Sequence, residues 1–425
     1  MSVRVCRTAL VVLATAVLAT VVAVPARGQR SLHVAANGPY RSITSAVAAA
    51  KRGDTVVVDA GTYREPVIEV ATSITLIGHG DPVLDGEGKH GLLLVTADDV
   101  TVTGFVLRNV GTSFVEDRAA IRVAETHGCV IVHNRVENGF FGIYLARVTD
   151  CRIADNTIHG SGTRETEAGN GVHLWTSRRI TVSGNEISGQ RDGIYLEFVH
   201  DSHIVGNTSE HNLRYGLHFM YSDGCQYVNN TFQHNGSGVA VMYTKGVTMS
   251  NNRFVDNWGA AAYGLLLKEV SDPRLDHNVF ARNTTALVAD GANRIVATDN
   301  DFTGNGWALR LDASTVDGRF ERNNFSGNSF DVATNSRSPS TTFSGNYWDD
   351  YRGYDLDRDG TGDVPHRPVR LFSVIAEHYP ASLILMHSTF ASLLDVAERA
   401  LPSLTPDLLT DPAPSMKRRP RGERP

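Results

Sequence analysis

Through the middle of the chain, apolar and polar residues alternate in short bursts, each opened by a glycine: GIYLAR from Gly142, GVHLWT from Gly171, GIYLEF from Gly193, GLHFMY from Gly216, GVAVMY from Gly238 and GLLLKE from Gly264. A period of two describes a short strand with one buried face, not a helix. A second short strand precedes an asparagine in CVIVHN, CRIADN, ITVSGN, SHIVGN and VTMSNN. That asparagine recurs at 134, 156, 185, 207, 230, 252, 278, 300, 323 and 346, mostly 22 or 23 residues apart. A repeat of this length marks a solenoid. Brief strands with glycine and asparagine at the corners and no helix between them predict an all-β fold, a parallel β-helix of ~22-residue coils stacked at about 4.8 Å.

The columns of this solenoid follow from the same alignment. Two places after the asparagine stand Val136, Ile158, Ile187, Phe232, Phe254, Phe280, Phe302, Phe325 and Trp348, a ladder suited to the core. The asparagines themselves are expected to form a buried amide ladder at a turn, with a structural role. Both ends of a solenoid need closing, because an open rung is an exposed sheet edge. A helix from about Ile43 to Ala50 is the expected N-terminal cap. PASLILMHSTFASLLDVAERALPSL is expected to be an amphipathic docking helix, its apolar positions interrupted by His387, Asp395, Glu398 and Arg399. The chain therefore divides into a leader over 1–28, a β-helix domain over 29–372, a helical region over 373–404 and a proline-rich basic tail over 405–425, expected to be disordered.

Composition sharpens the compartment. Thirty-nine glycines and only 20% charged residues fit a turn-rich β protein. Arg4 and Arg7 precede an apolar run from Ala9 to Val24 and a break at Pro25, the pattern of a cleaved secretory signal directing the chain to a bacterial periplasm. The run is short for a bilayer span of about 20 residues. Formal net charge is −6 although the tail KRRPRGERP is basic, so the body is acidic and no nucleic-acid partner is expected. Beyond the leader stand Cys129, Cys151 and Cys225, an odd number that is no disulfide framework. Cys129 and Cys151 are one repeat apart; they are expected to stack as small core residues, with a bond between them as the alternative.

In each glycine-led strand the second and fourth positions after the glycine face outward. The second runs Tyr144, His173, Tyr195, His218, Ala240, Leu266; the fourth runs Ala146, Trp175, Glu197, Met220, Met242, Lys268. Lysine, glutamate, threonine and serine would be ordinary there. Three readings fit what stands instead: a secondary core under a covering segment, a partner-binding surface, or a copper site. For the last, imidazole and thioether suit copper, with methionine favouring Cu(I), and the set is His173, Glu197, His218, Met220 and Met242. The contact surface comprises Trp175, Tyr195, Tyr221, Tyr243, Lys268 and Glu269. His200 and His203 read as solvated turn residues, and Met249 as core. In GYDLDRDGTGDVP, Asp355, Asp357, Asp359 and Asp363 with Gly360 resemble a calcium loop, without the usual closing glutamate. A secreted β-helix invites a polysaccharide lyase or hydrolase as the rival function, but no paired carboxylates stand out for hydrolysis, and a non-enzyme is expected.

The stretches GVHLWTSRRITVSGNEISGQRDGIYLEFVHDSHIVGN, RYGLHFMYSDGCQYVNN, GVAVMYTKGVTMSNN, YGLLLKEVSD and NYWDDYRGYDLDRDGTGDVPHRPVRLFS resemble the NosD family over roughly residues 31 to 416. The resemblance implies a right-handed parallel β-helix, periplasmic and held at the inner membrane by an ABC transporter with ATPase and membrane subunits. It implies a non-catalytic part in nitrous oxide reductase maturation during denitrification, accepting copper transiently from a chaperone lipoprotein and passing it to the reductase's copper centres. The family's motifs fall on Glu197, His218, Met220, Met242, Lys268 and Glu269, and the C-terminal helix is then the piece that docks on the transporter's membrane subunit.

Overall fold

The computed structural model describes residues 30–113, 115–336, 339–386, 388–401 and 408–420; the expected leader over 1–28, and His387, lie outside the described residues. The chain winds as a right-handed parallel β-helix of about 14 turns. Its described strands form three parallel sheets of 14, 13 and 12 strands, each strand pairing with its counterpart one coil away. The period-two strands become one of these sheets, with Ile143, Val172, Ile194, Leu217, Val239 and Leu265 in a single inward column. The asparagine-plus-two column stacks ring on ring from Phe254 through Phe280, Phe302 and Phe325 to Trp348, at 4.1 to 4.9 Å between centroids.

The asparagine ladder is present and its bonding is uniform. Asn252, for example, donates from Nδ2 to the Tyr227 carbonyl at 2.8 Å and to Asn278 Oδ1 at 3.1 Å, and its backbone N–H donates to the same oxygen at 2.9 Å. A second ladder runs parallel to it, Gln190, Asn212, Asn235, Asn257, Asn283, Asn305 and Asn328. Its members lie five residues after those of the first, a spacing visible in the sequence but not singled out there. Each ladder supplies acceptors to turn N–H groups that no strand partner reaches.

Helix α1 (Ile43–Ala49) closes the N-terminal end as expected. Ser42 caps it, and Glu65 accepts from the N–H groups of Ile43 and Thr44 at 2.7 and 2.9 Å. Cys129 and Cys151 are joined by a disulfide, so the alternative to simple core stacking is the arrangement found; adjacent rungs bring their Cα atoms to 4.5 Å. Cys225 is free and buried.

Two expectations at the C-terminal end need correction. The docking region is not one helix but α2 (Leu371–His378), a 3-10 turn over Pro380–Leu385 and α3 (Thr389–Ala400): a proline cannot continue α2, and Ser388 starts α3 afresh, its side chain accepting from the Ala391 N–H at 3.3 Å. Phe372 and Ala376 of α2 pack on Trp307, Phe330 and Ala333 of the solenoid, and Glu398 of α3 caps the Leu371 N–H at 2.7 Å. The tail is not disordered over residues 408–420. Asp411 ends the asparagine ladder, accepting from the Asn346 N–H and Nδ2 at 3.0 and 2.9 Å and from Trp348 Nε1 at 3.1 Å. Arg419 exchanges backbone hydrogen bonds with the Asn324 amide. The last rung's unsatisfied donors bind this segment more strongly than its basic, proline-rich composition disfavours order.

Candidate functional site

The six glycine-led strands place their outward residues in two registered columns. In the first, Tyr144, His173, Tyr195 and His218 occupy successive rungs. Their ring centroids lie 4.4, 4.7 and 5.0 Å apart, and Tyr215 packs on His218 at 4.9 Å. The rings bury one another, leaving His173 9% and His218 6% exposed. This column is therefore not an open face but a secondary core, covered by its own rings. His173 and His218 stand two rungs apart with Tyr195 between them, about 10 Å along the stack, so they cannot share one ion. Tyr195, for the same reason, is not part of a contact surface.

Polar groups line the flank of this column. The residue before the strand glycine supplies Asn170 and Asp192, both fully buried. Asp192 accepts from Arg214 Nε at 2.8 Å and Nη2 at 2.5 Å, and lies 3.6 Å from His218 Nδ1. Burial raises the Asp192 carboxyl, but the hydrogen bonds from Arg214 and His218 outweigh it and hold the group below the usual carboxylate range. Sequence reasoning missed Asn170, Asp192 and Arg214. For Asn170 and Asp192 the one signal was a polar residue ahead of the glycine, in NG and DG, which reads equally well as turn chemistry; Arg214, two places before Gly216, carried none.

Burial, reinforced by the Arg191 charge, drives the His173 imidazole down to about 3, so it is neutral near pH 7. The unfolded ring titrates near 6.5. A folded value below the unfolded one means stability is complete above about pH 6.5 and falls with acid, by about 2 kcal/mol between pH 7 and pH 5. Urea unfolding of His173→Phe is expected to show a shallower loss over that interval; parallel slopes would show that His173 does not carry it.

The second column remains reachable. Glu197, Met220, Met242 and Lys268 are partners in register on successive rungs, and all four are half-buried. The two thioethers are thus adjacent, with His218 two residues before Met220 on the same strand and face. Lys268 Nζ lies 3.6 Å from Asp290. Trp175, one rung before Glu197, packs under the Arg147 guanidinium, 5.2 Å from the ring centroid.

One residue further, at the corner, Phe198, Tyr221 and Tyr243 stack at 5.2 Å with planes within 11 to 14°. All three are exposed and have φ between 50 and 55°. Bulky side chains seldom occupy this left-handed region, yet here three do so in succession and turn their rings to solvent beside the methionines. Phe198 was missed in the sequence, although it follows Glu197 as Tyr221 follows Met220. Glu269 continues this corner column with φ 51°.

The acidic loop is brought together in part. Asp355, Asp357 and Asp359 each place a carboxylate oxygen within 4.8 Å of the others, while Asp363 is outside this group and accepts from the Leu356 N–H at 2.7 Å. A separate group, Asp331, Asp349 and Asp350, gathers near α2. Burial first, and then the Asp350 charge, push Asp331 well above the carboxylate range, while Arg370 pairs with Asp350. On the C-terminal segment Ile384, Phe390, Leu393 and Val396 are exposed, Ile384 at 89%. Among the described residues no helix is long and apolar enough to cross a membrane.

Residues 159–353 match the family described as NosD, periplasmic copper-binding protein. A relative in Pseudomonas aeruginosa, "Probable ABC transporter binding protein NosD", is 32% identical over 79% of this chain and 82% of its own length. One of the same name in Stutzerimonas stutzeri is 28% identical over 79% and 80%. Among solved structures, the A-module of the Azotobacter vinelandii mannuronan C-5 epimerase AlgE6 aligns with a TM-score of 0.52 at 14% identity, over 71% of this chain and 86% of that one. The Streptococcus pneumoniae surface adhesin PfbA does so at 0.52 and 11%, over 72% and 86%. An epimerase and an adhesin share the coil, so these two likenesses show the fold alone.

Proposed function

The chain belongs to the NosD family, whose description is that of periplasmic copper-binding proteins, and on that premise we propose that it carries copper transiently for the maturation of nitrous oxide reductase. In this reading it takes copper from a chaperone lipoprotein and delivers it to the reductase's copper centres, held at the inner membrane by an ABC transporter. The observation that carries the proposal is the Met220–Met242 pair. Two half-buried thioethers sit on adjacent rungs, about 4.8 Å apart along the stack, beside an imidazole whose Nε2 has no hydrogen-bond partner among the described residues. Soft sulfur with imidazole suits Cu(I), and half-exposure suits an ion that must leave again. The stacked Phe198, Tyr221 and Tyr243 rings alongside offer a docking surface for a protein that gives or takes the metal.

The exposed apolar residues of the 3-10 turn and α3 support association with a membrane partner. A soluble surface seldom leaves Ile384, Leu393 and Val396 open together, and the relatives' name mentions an ABC transporter. We read the chain as non-catalytic: in the column of the methionines Glu197 and Asp290 stand four rungs apart, about 19 Å at about 4.8 Å per rung, beyond the separation of about 5 to 9.5 Å that glycoside hydrolysis uses. Calcium in the Asp355, Asp357 and Asp359 loop is a structural ion in this reading.

Cu(I) titration of the purified mature protein against a competing chelator tests the centre. Met220→Ala and Met242→Ala are each expected to weaken binding at least roughly tenfold, the scale on which even outer-shell metal partners act. Wild-type affinity in both of these variants and in His218→Ala would overturn it.

A further inference from the structure

At the corners of the coil, arginines pair with the acidic residue one rung earlier through both carboxylate oxygens. Arg179 does so with Asp150, Arg282 with Asp256, Arg294 with Asp272 and Arg322 with Asp299, at 2.6 to 3.1 Å. Arg274 and Arg319 break this habit. Both are exposed, and among the described residues neither forms an ion pair or a side-chain hydrogen bond. They hold one outward column of the 14-stranded sheet with the half-buried Val296 between them, two rungs or about 10 Å apart at the backbone. All three residues line one open groove of about 450 Å³.

The surrounding carboxylates are engaged elsewhere. Asp272, two residues before Arg274, is held by Arg294. Asp276, two residues after it, lies 2.8 Å from His277 Nδ1 and accepts from Thr298 at 2.9 Å. Glu321, two residues after Arg319, faces Arg322 at 3.9 Å. On the rim, Asp317 donates its N–H to Ser340 Oγ at 2.9 Å, which leaves the serine proton free to donate into the groove. One guanidinium fork fills both oxygens of a carboxylate, as Arg294 does on Asp272. Two forks reaching over one valine therefore match an oxyanion with more than two oxygens.

We propose that this groove binds a phosphate group, gripped by Arg274 and Arg319 from either side of Val296, with the Ser340 hydroxyl donating beyond Arg319. The groove is much larger than phosphate alone, so the group belongs to a larger molecule, a soluble phosphomonoester or a lipid headgroup. The Asp317 carboxylate opposes the anion and weakens the grip. The site lies on a different sheet from the methionine column and does not rest on the copper reading.

Calorimetric titration of the mature protein with glycerol 3-phosphate is expected to show saturable binding that salt weakens. Arg274→Gln and Arg319→Gln are each expected to weaken it roughly tenfold, and Asp317→Asn to tighten it. All three positions are exposed, so the coil tolerates these changes. Acetate is expected not to compete. Vesicles distinguish the source of the phosphate. Retention on phosphatidic acid but not on phosphatidylcholine vesicles, abolished in both arginine variants, assigns a headgroup; soluble binding without retention assigns a free phosphomonoester. Binding in neither arm overturns the inference, as does affinity unchanged in both arginine variants. Acetate competing as well as glycerol 3-phosphate would also overturn it, because the groove would then be a general anion surface.

Discussion

Asp411→Ala is expected to lower the folding stability of the protein by about 4 kcal/mol, because it strips acceptors from several buried donors at once. Asp411 is fully buried. It takes the N–H groups of Gly345 and Ala413, both each at 3.2 Å, in addition to the Asn346 and Trp348 donors. Every other rung of the asparagine ladder finds its acceptor in the next asparagine; the last finds it only here. Alanine leaves the Asn346 and Trp348 donors without a partner in a place water does not reach, where each costs about 1 to 3 kcal/mol before relaxation; the Gly345 and Ala413 N–H groups are part-buried and lose less. Asp411→Asn retains one acceptor oxygen and is expected to lose clearly less. Urea unfolding followed by circular dichroism checks the order of the three proteins, and an Asp411→Ala protein as stable as wild type would mean that the tail does not close the coil. The same variant is expected to show faster proteolysis near the C-terminus, since the freed rung becomes a sheet edge.

Gly193→Ala is expected to be nearly as severe, roughly 3 to 4 kcal/mol, by overpacking a site with no slack. A Cβ at Gly193 would strike the Ser209 hydroxyl and lie 2.7 Å from the Gly216 carbonyl oxygen and 2.9 Å from Asn212 Nδ2. Those atoms are already bonded to one another: Ser209 Oγ donates to the Gly216 carbonyl at 2.7 Å and Asn212 Nδ2 donates to Ser209 Oγ at 3.0 Å. Ser209 is where the asparagine-plus-two column departs from large apolar residues, and this network accounts for the departure. The backbone of one coil must move to admit the methyl group, and Asp192 and Tyr195 on the same strand move with it. Thermal unfolding gives the stability; a shifted His218 resonance would show that the strain reaches the site. An alanine tolerated at less than about 1 kcal/mol would mean that this close approach is not enforced.

The candidate site was legible by direction more than by environment. Alternation told which residues point outward, and the structure keeps Glu197, Met220, Met242 and Lys268 in one column. It did not tell that the neighbouring column would close over itself. Tyr144, His173, Tyr195 and His218 are each unremarkable at an outward position, and only their stacking at 4.4 to 5.0 Å turns a surface into an interior. Asp192 was invisible as a site residue because a polar residue before glycine is ordinary turn chemistry. Its partner Arg214 lies 22 residues away, on the next coil. The ordered tail was missed for a similar reason: composition describes a segment alone, whereas its order depends on donors offered by a distant rung.

By itself the sequence determined the repeat, the two faces of each strand, the asparagine and phenylalanine ladders and the N-terminal cap, because these follow from local periodicity that every coil restates. Tertiary structure alone decided three things: which outward residues are buried, which histidine faces a carboxylate, and what closes the last rung. Each depends on a contact between positions that no local pattern links, as between Asp411 and Asn346, 65 residues apart. A solenoid fixes the direction of a side chain within one coil, but its neighbours on other coils set its solvation, its proton and its partners.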